Sequence, residues 1–211
     1  DLPLIEYVAR KGKPMFISTG MGNIEEISDA VNTAISSGCK DILLFHCISS
    51  YPTPTSQAKI KTIQFLREKF NIEIGLSDHT LSNTAALAAV SLGAVAIEKH
   101  FIISREEKGP DSEFSIEPKQ LEELVKNTKV CWQALGSNEF ERSKLETKSK
   151  VFRRSLYFVK DIKADEIITK EHIRRIRPGF GLAPKYLNQI INKKASKDFF
   201  RGERVTWDAI K

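Results

Sequence analysis

Residues 73–79 read EIGLSDH, a short apolar run that closes on serine, aspartate and histidine. Residues 94–101, AVAIEKHF, repeat this design and again reach a histidine near the end of the run. Two similar runs lie upstream, at residues 13–20 and 41–47, and stretches with helical periodicity separate the four runs. Strand–helix units that recur every ~27 residues predict parallel strands, because parallel neighbours need a crossover connection.

The polar residues of each run stand at or near its carboxyl end, and in an α/β barrel that end of the strands forms the active-site face. The apolar character of the runs fits strands that are buried on both faces. Four units are half of the eight in a barrel, so we expect residues 1–136 to be the C-terminal half of a TIM (β/α)8 barrel. A doubly wound open sheet is the alternative, but Gly20-Met21-Gly22 does not supply the glycine-rich phosphate fingerprint of that fold.

The pattern changes after the fourth run. A polar loop leads to one long predicted helix that begins at Pro118 and is ended by Gly136. Residues 137–152 are strongly charged and predict a partly helical linker. Residues 153–211 alternate short apolar runs with tight turns, which predicts a small, mostly-β domain. A domain of about 60 residues is only marginally stable alone, so we expect it to pack on another surface.

The amino-acid composition and charge indicate which class of protein the sequence encodes. Hydrophobic residues make up 41% and charged residues 28%, which is typical of a globular protein, and no apolar run is long enough to span a membrane. Three cysteines without a CxxC pair, and no secretory signal, predict a reduced, cytoplasmic protein. The net charge is +6, but Lys and Arg are scattered among Asp and Glu, which favours a solvated surface or anionic substrates over nucleic acid.

His79 and His100 are the first candidate site. Neighbouring strands lie about 4.8 Å apart, so the two imidazoles can converge above the sheet. Two neutral imidazoles can bind Mn, Zn or Fe and leave positions open for water and substrate; the alternative is two histidines satisfied by ordinary hydrogen bonds. We expect Asp78 to accept a hydrogen bond from one imidazole.

Further candidates surround the same predicted rim. Lys13 precedes the first run, and a lysine that faces a barrel mouth can hold a phosphate or carboxylate. Ser18, Ser49 and Ser77 are ordinary loop serines taken singly, but together they predict a cradle for an oxyanion-rich ligand.

Three residues in loops complete the set. Tyr51 opens the stiff turn YPTP, where a packed aromatic is the alternative, and Asp111 follows Gly-Pro on a loop that can fold over the site, where an ordinary turn aspartate is the alternative. Arg177 begins RPGFG, in which proline and two glycines fix the backbone. An arginine held in this way suits a carboxylate, a phosphate or an amide carbonyl, although surface turn chemistry explains it equally well.

The combination of these motifs, in this order and spacing, resembles the sialic acid synthase family over essentially the whole chain. The motifs are KP at 13–14, STGM at 18–21, HC at 46–47, YPTP at 51–54, GLSDHT at 75–80, EKHF at 98–101 and GPDS at 109–112. The segments RSL at 154–156, DIK at 161–163 and RPGFG at 177–181 resemble the family's C-terminal antifreeze-like (SAF) domain.

The resemblance implies an enzyme that condenses phosphoenolpyruvate with an N-acetylated amino-sugar aldehyde to give a nine-carbon 2-keto acid and phosphate. Within the family, residues 152–156 and 177–182 are most similar to pseudaminic acid synthases, with N-acetylneuraminate synthases as the alternative. It also implies a domain-swapped homodimer. The family's early-barrel glutamate and lysine would lie upstream of Asp1, so we expect the fragment alone to be catalytically incomplete.

The resemblance also assigns roles to the candidate residues. His79 and His100 would bind a divalent metal, Mn or Mg. Phosphoenolpyruvate would be held by Lys13, Ser18 and Ser77. The open-chain sugar would be held by Tyr51, Asp111 and Ser49, at which position some members carry asparagine. Arg177 of the partner subunit would bind the N-acetyl group of the sugar.

Two rival functions remain open at this level. One is a non-catalytic fragment whose SAF domain binds a carbohydrate or a partner protein. The other is an aldolase-like barrel in which a lysine forms a Schiff base with the substrate.

Overall fold

The computed structural model describes residues 1–137, 140 and 143–211. The chain divides into two compact units, Asp1–Ser137 and Asn138–Lys211. Among the described residues no helix is long and apolar enough to cross a membrane. The three cysteines carry free thiols.

A parallel four-stranded sheet forms the centre of the first unit, in the order in which the strands occur along the chain. The strands are β1 (Met15–Ser18), β2 (Ile42–Cys47), β3 (Glu73–Ser77) and β4 (Ile97–Glu98). All four predicted strands are therefore confirmed, but β4 is much shorter than the run at 94–101. Its upstream part approaches β3 through single hydrogen bonds, from the Val95 amide to the Ile74 carbonyl and from the Leu76 amide to the Ala96 carbonyl.

Helices connect and flank these strands: α1 (Leu2–Ala9), α2 (Ile24–Ser36), α3 (Thr62–Phe70), α4 (Thr84–Ser91) and α5 (Pro118–Leu135). The start of α2 is fixed by a capping box, in which the Asn23 side chain accepts from the Glu26 amide and the Glu26 side chain accepts from the Asn23 amide. The long helix predicted from Pro118 is confirmed as α5. Helix α1, which Asp1 caps, has no counterpart in the sequence prediction.

The two faces of the sheet differ. On one face Leu44, Ile74 and Leu76 are buried against helical residues in a continuous apolar core. On the other face Phe16 is 70% exposed, and Glu73 and Glu98 are exposed as well. The prediction of strands buried on both faces is confirmed for β2 and β3, in which nearly all residues are buried. It was wrong for the edge strands β1 and β4, which expose Phe16, Ser18 and Glu98 on the face that no helix covers among the described residues.

Gly75 lies on the more open face, where β3 passes the ring of Phe45. A Cβ at this position would stand 2.7 Å from Phe45 Cε1 and 2.9 Å from the Ala96 carbonyl oxygen, closer than real Cβ contacts. Glycine therefore lets the phenylalanine ring lie across β3, below the carboxyl ends of the strands.

The second unit is built on a short antiparallel pair, β5 (Ser155–Phe158) and β6 (Ile173–Ile176). Helices α6 (Lys144–Lys148) and α7 (Leu187–Ile190) and three 3₁₀ turns (Ser149–Phe152, Pro184–Tyr186, Trp207–Ala209) accompany it. Its buried core contains Phe158 stacked on Phe199, with ring centroids 4.7 Å apart.

The predicted alternation of short strands with tight turns is confirmed by the pair β5 and β6 and by the turns at residues 164–165 and 201–202. Residues 170–172 form a turn, and Ile173 is the first residue of β6. Other segments of this unit pair through isolated bridges, such as Tyr157 to Arg204 and Ile162 to Phe199. These segments pair with distant parts of the chain, so local alternation of residues did not reveal their partners.

Candidate active site

His79 and His100 come together at the carboxyl ends of β3 and β4. Ser77 and Glu98 are paired in the ladder between β3 and β4. His79 lies two residues after Ser77, and His100 lies two residues after Glu98. Side chains two residues apart in a strand share a face, so both imidazoles project from the same side of the sheet. Their ring centroids lie 5.1 Å apart. The predicted convergence of the two histidines is confirmed.

Two aromatic rings border the histidines. Tyr51 lies 4.4 Å from His79 and 5.8 Å from His100, measured between ring centroids. Phe114 lies 5.4 Å from Tyr51 and 5.0 Å from His100. The sequence analysis missed Phe114, although a lone aromatic residue in the polar segment 104–115 was the available signal.

An oxygen atom lies close to Nδ1 of each imidazole. His79 Nδ1 stands 2.9 Å from the Ile48 carbonyl oxygen, which only accepts, so Nδ1 carries the proton and Nε2 keeps its lone pair. His100 Nδ1 lies 3.3 Å from Asp111 Oδ2, which directs its Nε2 away from the carboxylate. Asp111 thus contacts a histidine of the site.

These two imidazoles are the side chains of this site whose chemistry would suit a metal ion. A histidine whose Nδ1 contacts an oxygen acceptor can turn its Nε2 toward a divalent metal. Within the described part of the chain no group of three or more His, Cys, Asp or Glu side chains stands in a metal-binding arrangement. The residues present therefore fit a metal as a partial set of ligands.

The expected role of Asp78 was wrong. Its carboxylate accepts from Lys99 Nζ at 2.8 Å and from the Thr80 amide at 2.8 Å instead of from an imidazole. The reason is the alternation of side chains along β3, which points Asp78 to the face opposite His79. Lys99 is buried beside it, on the same side of the sheet.

The three predicted serines occupy different positions. Ser77 lies on the histidine face, and its hydroxyl donates to Glu98 Oε1 at 2.7 Å. Ser18 ends β1 and is exposed on the face that carries Phe16. Ser49 is exposed in the loop after β2, where its Oγ would lie 3.6 Å from a Cβ added to Gly20.

Lys13 is not brought to the site. It is exposed and precedes the amino end of β1, whereas Ser18 stands at the carboxyl end of the same strand. Each residue of a strand adds about 3.3 Å, so the length of β1 separates Lys13 from the edge of the sheet where the histidines lie. The expectation that Lys13 holds phosphoenolpyruvate was wrong for this reason.

His46, at the end of β2, is a structural residue. Its Nε2 lies 2.8 Å from the Ala58 carbonyl oxygen, and the side chain is buried on the helix-covered face. Burial lowers the pKa of His46; the hydrogen bond to Ala58 opposes this and the charge of Lys59 adds to it. The buried imidazole is therefore harder to protonate than a solvated one.

Arg177 belongs to the second unit and follows β6. The Ser155 hydroxyl holds its loop by donating to the Pro178 carbonyl at 2.8 Å and accepting from the Gly181 amide at 3.0 Å. Arg177 is exposed and lines a cavity of about 440 Å³, and the other residues around that cavity are Arg154, Arg175 and Ile176. Arg154, Arg175 and Arg177 are absent from the ion pairs found among the described residues.

Comparison with known proteins finds a matching family model for each of the two units. The NeuB family model matches residues 1–140, and the SAF domain model matches residues 153–211. An uncharacterized protein of Methanocaldococcus jannaschii is 41% identical over 209 residues, which are 98% of this chain and 61% of that protein. A pseudaminic acid synthase of Campylobacter jejuni is 37% identical over 205 residues, which are 97% of this chain and 60% of the synthase.

A solved structure of similar sequence supports the same relationship. The crystal structure of an N-acetylneuraminic acid synthetase from Leptospira borgpetersenii in complex with citrate matches 70% of this chain and 52% of its own, with a TM-score of 0.66 and 35% identity. The chain spans about three-fifths of the length of the curated relatives it matches.

The hydrogen bond from His79 to the Ile48 carbonyl leads to a prediction about the tautomer of this imidazole. We expect neutral His79 to carry its proton on Nδ1, because a carbonyl oxygen can only accept. Long-range ¹⁵N–¹H correlation spectra of ¹⁵N-histidine-labelled protein report the protonated nitrogen. Observation of the Nε2-protonated tautomer for His79 would contradict the proposed orientation of its lone pair.

Proposed function

This chain belongs to the NeuB family and ends in a SAF domain, and from that premise we propose that the protein is a nonulosonic acid synthase. The proposed reaction joins C3 of phosphoenolpyruvate to the aldehyde carbon of an N-acetylated amino sugar, water adds to C2, and phosphate leaves. The observation that carries the proposal is the convergence of His79, His100, Tyr51 and Asp111 at the carboxyl end of a parallel sheet.

The amino sugar we propose is the 2,4-diacetamido-2,4,6-trideoxy hexose used by pseudaminic acid synthases. The similarity to the Campylobacter synthase, which extends over both units, supports this choice. N-acetylmannosamine, the substrate of an N-acetylneuraminate synthase, is the second candidate, and the similarity to the Leptospira synthetase favours it.

We propose that the first unit is the C-terminal half of a TIM (β/α)8 barrel. Its strands follow one another in chain order and helices cover one face, as in a segment of a barrel wall. The exposed Phe16 on the other face would then belong to the barrel interior, which the remaining strands would enclose.

His79 and His100 would hold a divalent metal, Mn or Mg, through their Nε2 atoms. When bound, such a metal supplies Lewis acidity to the sugar aldehyde. The Ile48 carbonyl and the Asp111 carboxylate would fix the directions of the two imidazoles, because each engages an Nδ1 atom.

The remaining residues would bind the two substrates. The hydroxyls of Ser18 and Ser77 lie on the face that carries the histidines and would hydrogen-bond oxygens of phosphoenolpyruvate. Tyr51 and Asp111, together with the exposed Ser49, would face the open-chain sugar, for which the ring of Tyr51 offers an apolar wall and Asp111 an acceptor for a hydroxyl.

Arg177 would recognise the N-acetyl carbonyl of the sugar from the SAF domain of a partner subunit in a domain-swapped homodimer. The exposed guanidinium, the fixed loop and the neighbouring Arg154 and Arg175 support a role in binding an oxygen-rich group. A Schiff-base mechanism through Lys99 is not favoured, because its ammonium is buried and bound by Asp78 and the Thr80 carbonyl.

The proposed reaction is tested by incubating the full-length protein with phosphoenolpyruvate, Mn²⁺ and each amino sugar, while phosphate release is followed. We expect release with the trideoxy diacetamido hexose or with N-acetylmannosamine and none when the sugar is omitted. If phosphate is released with none of the amino sugars, the synthase assignment is wrong, and a non-catalytic role for the SAF domain is favoured.

Arg177→Ala separates recognition of the sugar from recognition of phosphoenolpyruvate. A hydrogen bond to a charged group contributes about 1.5–3 kcal/mol, so we expect the KM for the sugar to rise by roughly 10-fold or more while the KM for phosphoenolpyruvate changes little. Arg201→Ala, an exposed arginine of the same domain, is the matched control. An increase confined to the KM of phosphoenolpyruvate would refute the assigned role.

A further inference from the structure

The ladder between β3 and β4 ends just before the two histidines. Their register covers only Leu76 with Ile97 and Ser77 with Glu98. One more backbone hydrogen bond follows, from the Asp78 amide to the Glu98 carbonyl at 2.9 Å. Regular strand pairing therefore ends before His79 and His100, so the ladder alone does not fix the distance between the two imidazoles.

The Lys99 side chain links β3 and β4 beyond the end of the ladder. Its Nζ donates to Asp78 Oδ2 at 2.8 Å and to the Thr80 carbonyl at 2.6 Å. These two acceptors come from the residues directly before and directly after His79. Because Lys99 itself directly precedes His100, one ammonium joins the backbone around both histidines.

The second carboxylate oxygen of Asp78 takes part in the same hydrogen-bond network. Asp78 Oδ1 accepts from the Thr80 amide at 2.8 Å, which makes a tight turn of the backbone at His79. The His79 carbonyl in turn accepts from the Thr53 amide, and the His100 carbonyl accepts from the Ile116 amide. The backbone carbonyls of both histidines are thus held by hydrogen bonds from other segments of the chain.

Burial shows that this ion pair does not face the substrate. The Lys99 and Asp78 side chains are 2% and 1% exposed, and both lie on the face of the sheet opposite the imidazoles. A buried ion pair is weak evidence for stability, since apolar residues of similar volume often stabilise as well, and its best-attested use is to fix one geometry.

We propose that Asp78 and Lys99 are positioning residues that hold His79 and His100 at the separation needed to bind one divalent metal. This inference rests on the proposed function, since it presumes that the two imidazoles share a metal. It adds two residues that contact neither the metal nor the substrates and that act through the backbone of the two ligands.

The test measures Mn²⁺ affinity, by electron paramagnetic resonance of free Mn²⁺, in the full-length protein and in Asp78→Asn/Lys99→Met. The double substitution keeps the side-chain volumes and leaves no unpaired buried charge. We expect Mn²⁺ to bind about 10- to 100-fold more weakly, the range seen when groups that orient metal ligands are removed. The thermal unfolding midpoint is measured on the same samples.

Ile63→Val is the matched control for loss of stability, because Ile63 is buried in the core of the same unit and contributes no polar group. We expect it to lower the unfolding midpoint and leave Mn²⁺ affinity unchanged. If the double variant does not fold, Lys99→Arg alone keeps both buried charges but changes the position of the cation between Asp78 and Thr80, and a several-fold loss of affinity is the expected result.

His79→Ala distinguishes failure of the inference from failure of the proposed metal site. If the parent protein binds Mn²⁺, His79→Ala abolishes binding, and the folded Asp78 and Lys99 variants bind like the parent, the positioning role is overturned and the metal site stands. If the parent does not bind Mn²⁺, or His79→Ala binds it equally well, the metal site itself is wrong and the inference falls with it.

Discussion

Side chains alternate between the two faces of a strand, and this constraint organises the first unit. Because Ser77 and Glu98 are paired, His79 and His100 project from one face while Asp78 and Lys99 project from the other. One register therefore produces both the imidazole pair above the sheet and the buried ion pair on the helix-covered side. A shift of one residue between β3 and β4 would turn His100 and Lys99 to the opposite faces, which would separate the histidines and break the ion pair.

The candidate site depends on elements from several parts of the chain. The loop after β2 supplies Tyr51 and the Ile48 carbonyl, the ends of β3 and β4 supply the histidines, and the loop before α5 supplies Asp111 and Phe114. The sheet brings these segments together because parallel strands present all their carboxyl ends at one edge.

Local patterns in the sequence predicted those features of the fold that local physics determines. The apolar periods and the glycine or proline boundaries predicted α2, α5 and the four parallel strands, and the histidine that follows each of the last two strands predicted the imidazole pair. The role expected for Asp78 was wrong because neighbouring residues of a strand face opposite sides of the sheet, so Asp78 cannot reach the imidazole of His79. The bridges of Arg204 and Phe199 depend on partners far along the chain, which periodicity does not identify.

The central claim is that the two imidazoles share one metal through their Nε2 atoms. Pulsed electron paramagnetic resonance of the Mn²⁺ complex of the full-length protein detects nitrogen nuclei bonded directly to the metal. With ¹⁵N-histidine labelling we expect couplings from two imidazole nitrogens, with one lost in His79→Ala and one in His100→Ala. A Mn²⁺ complex without directly bonded histidine nitrogen would contradict the assignment of this site.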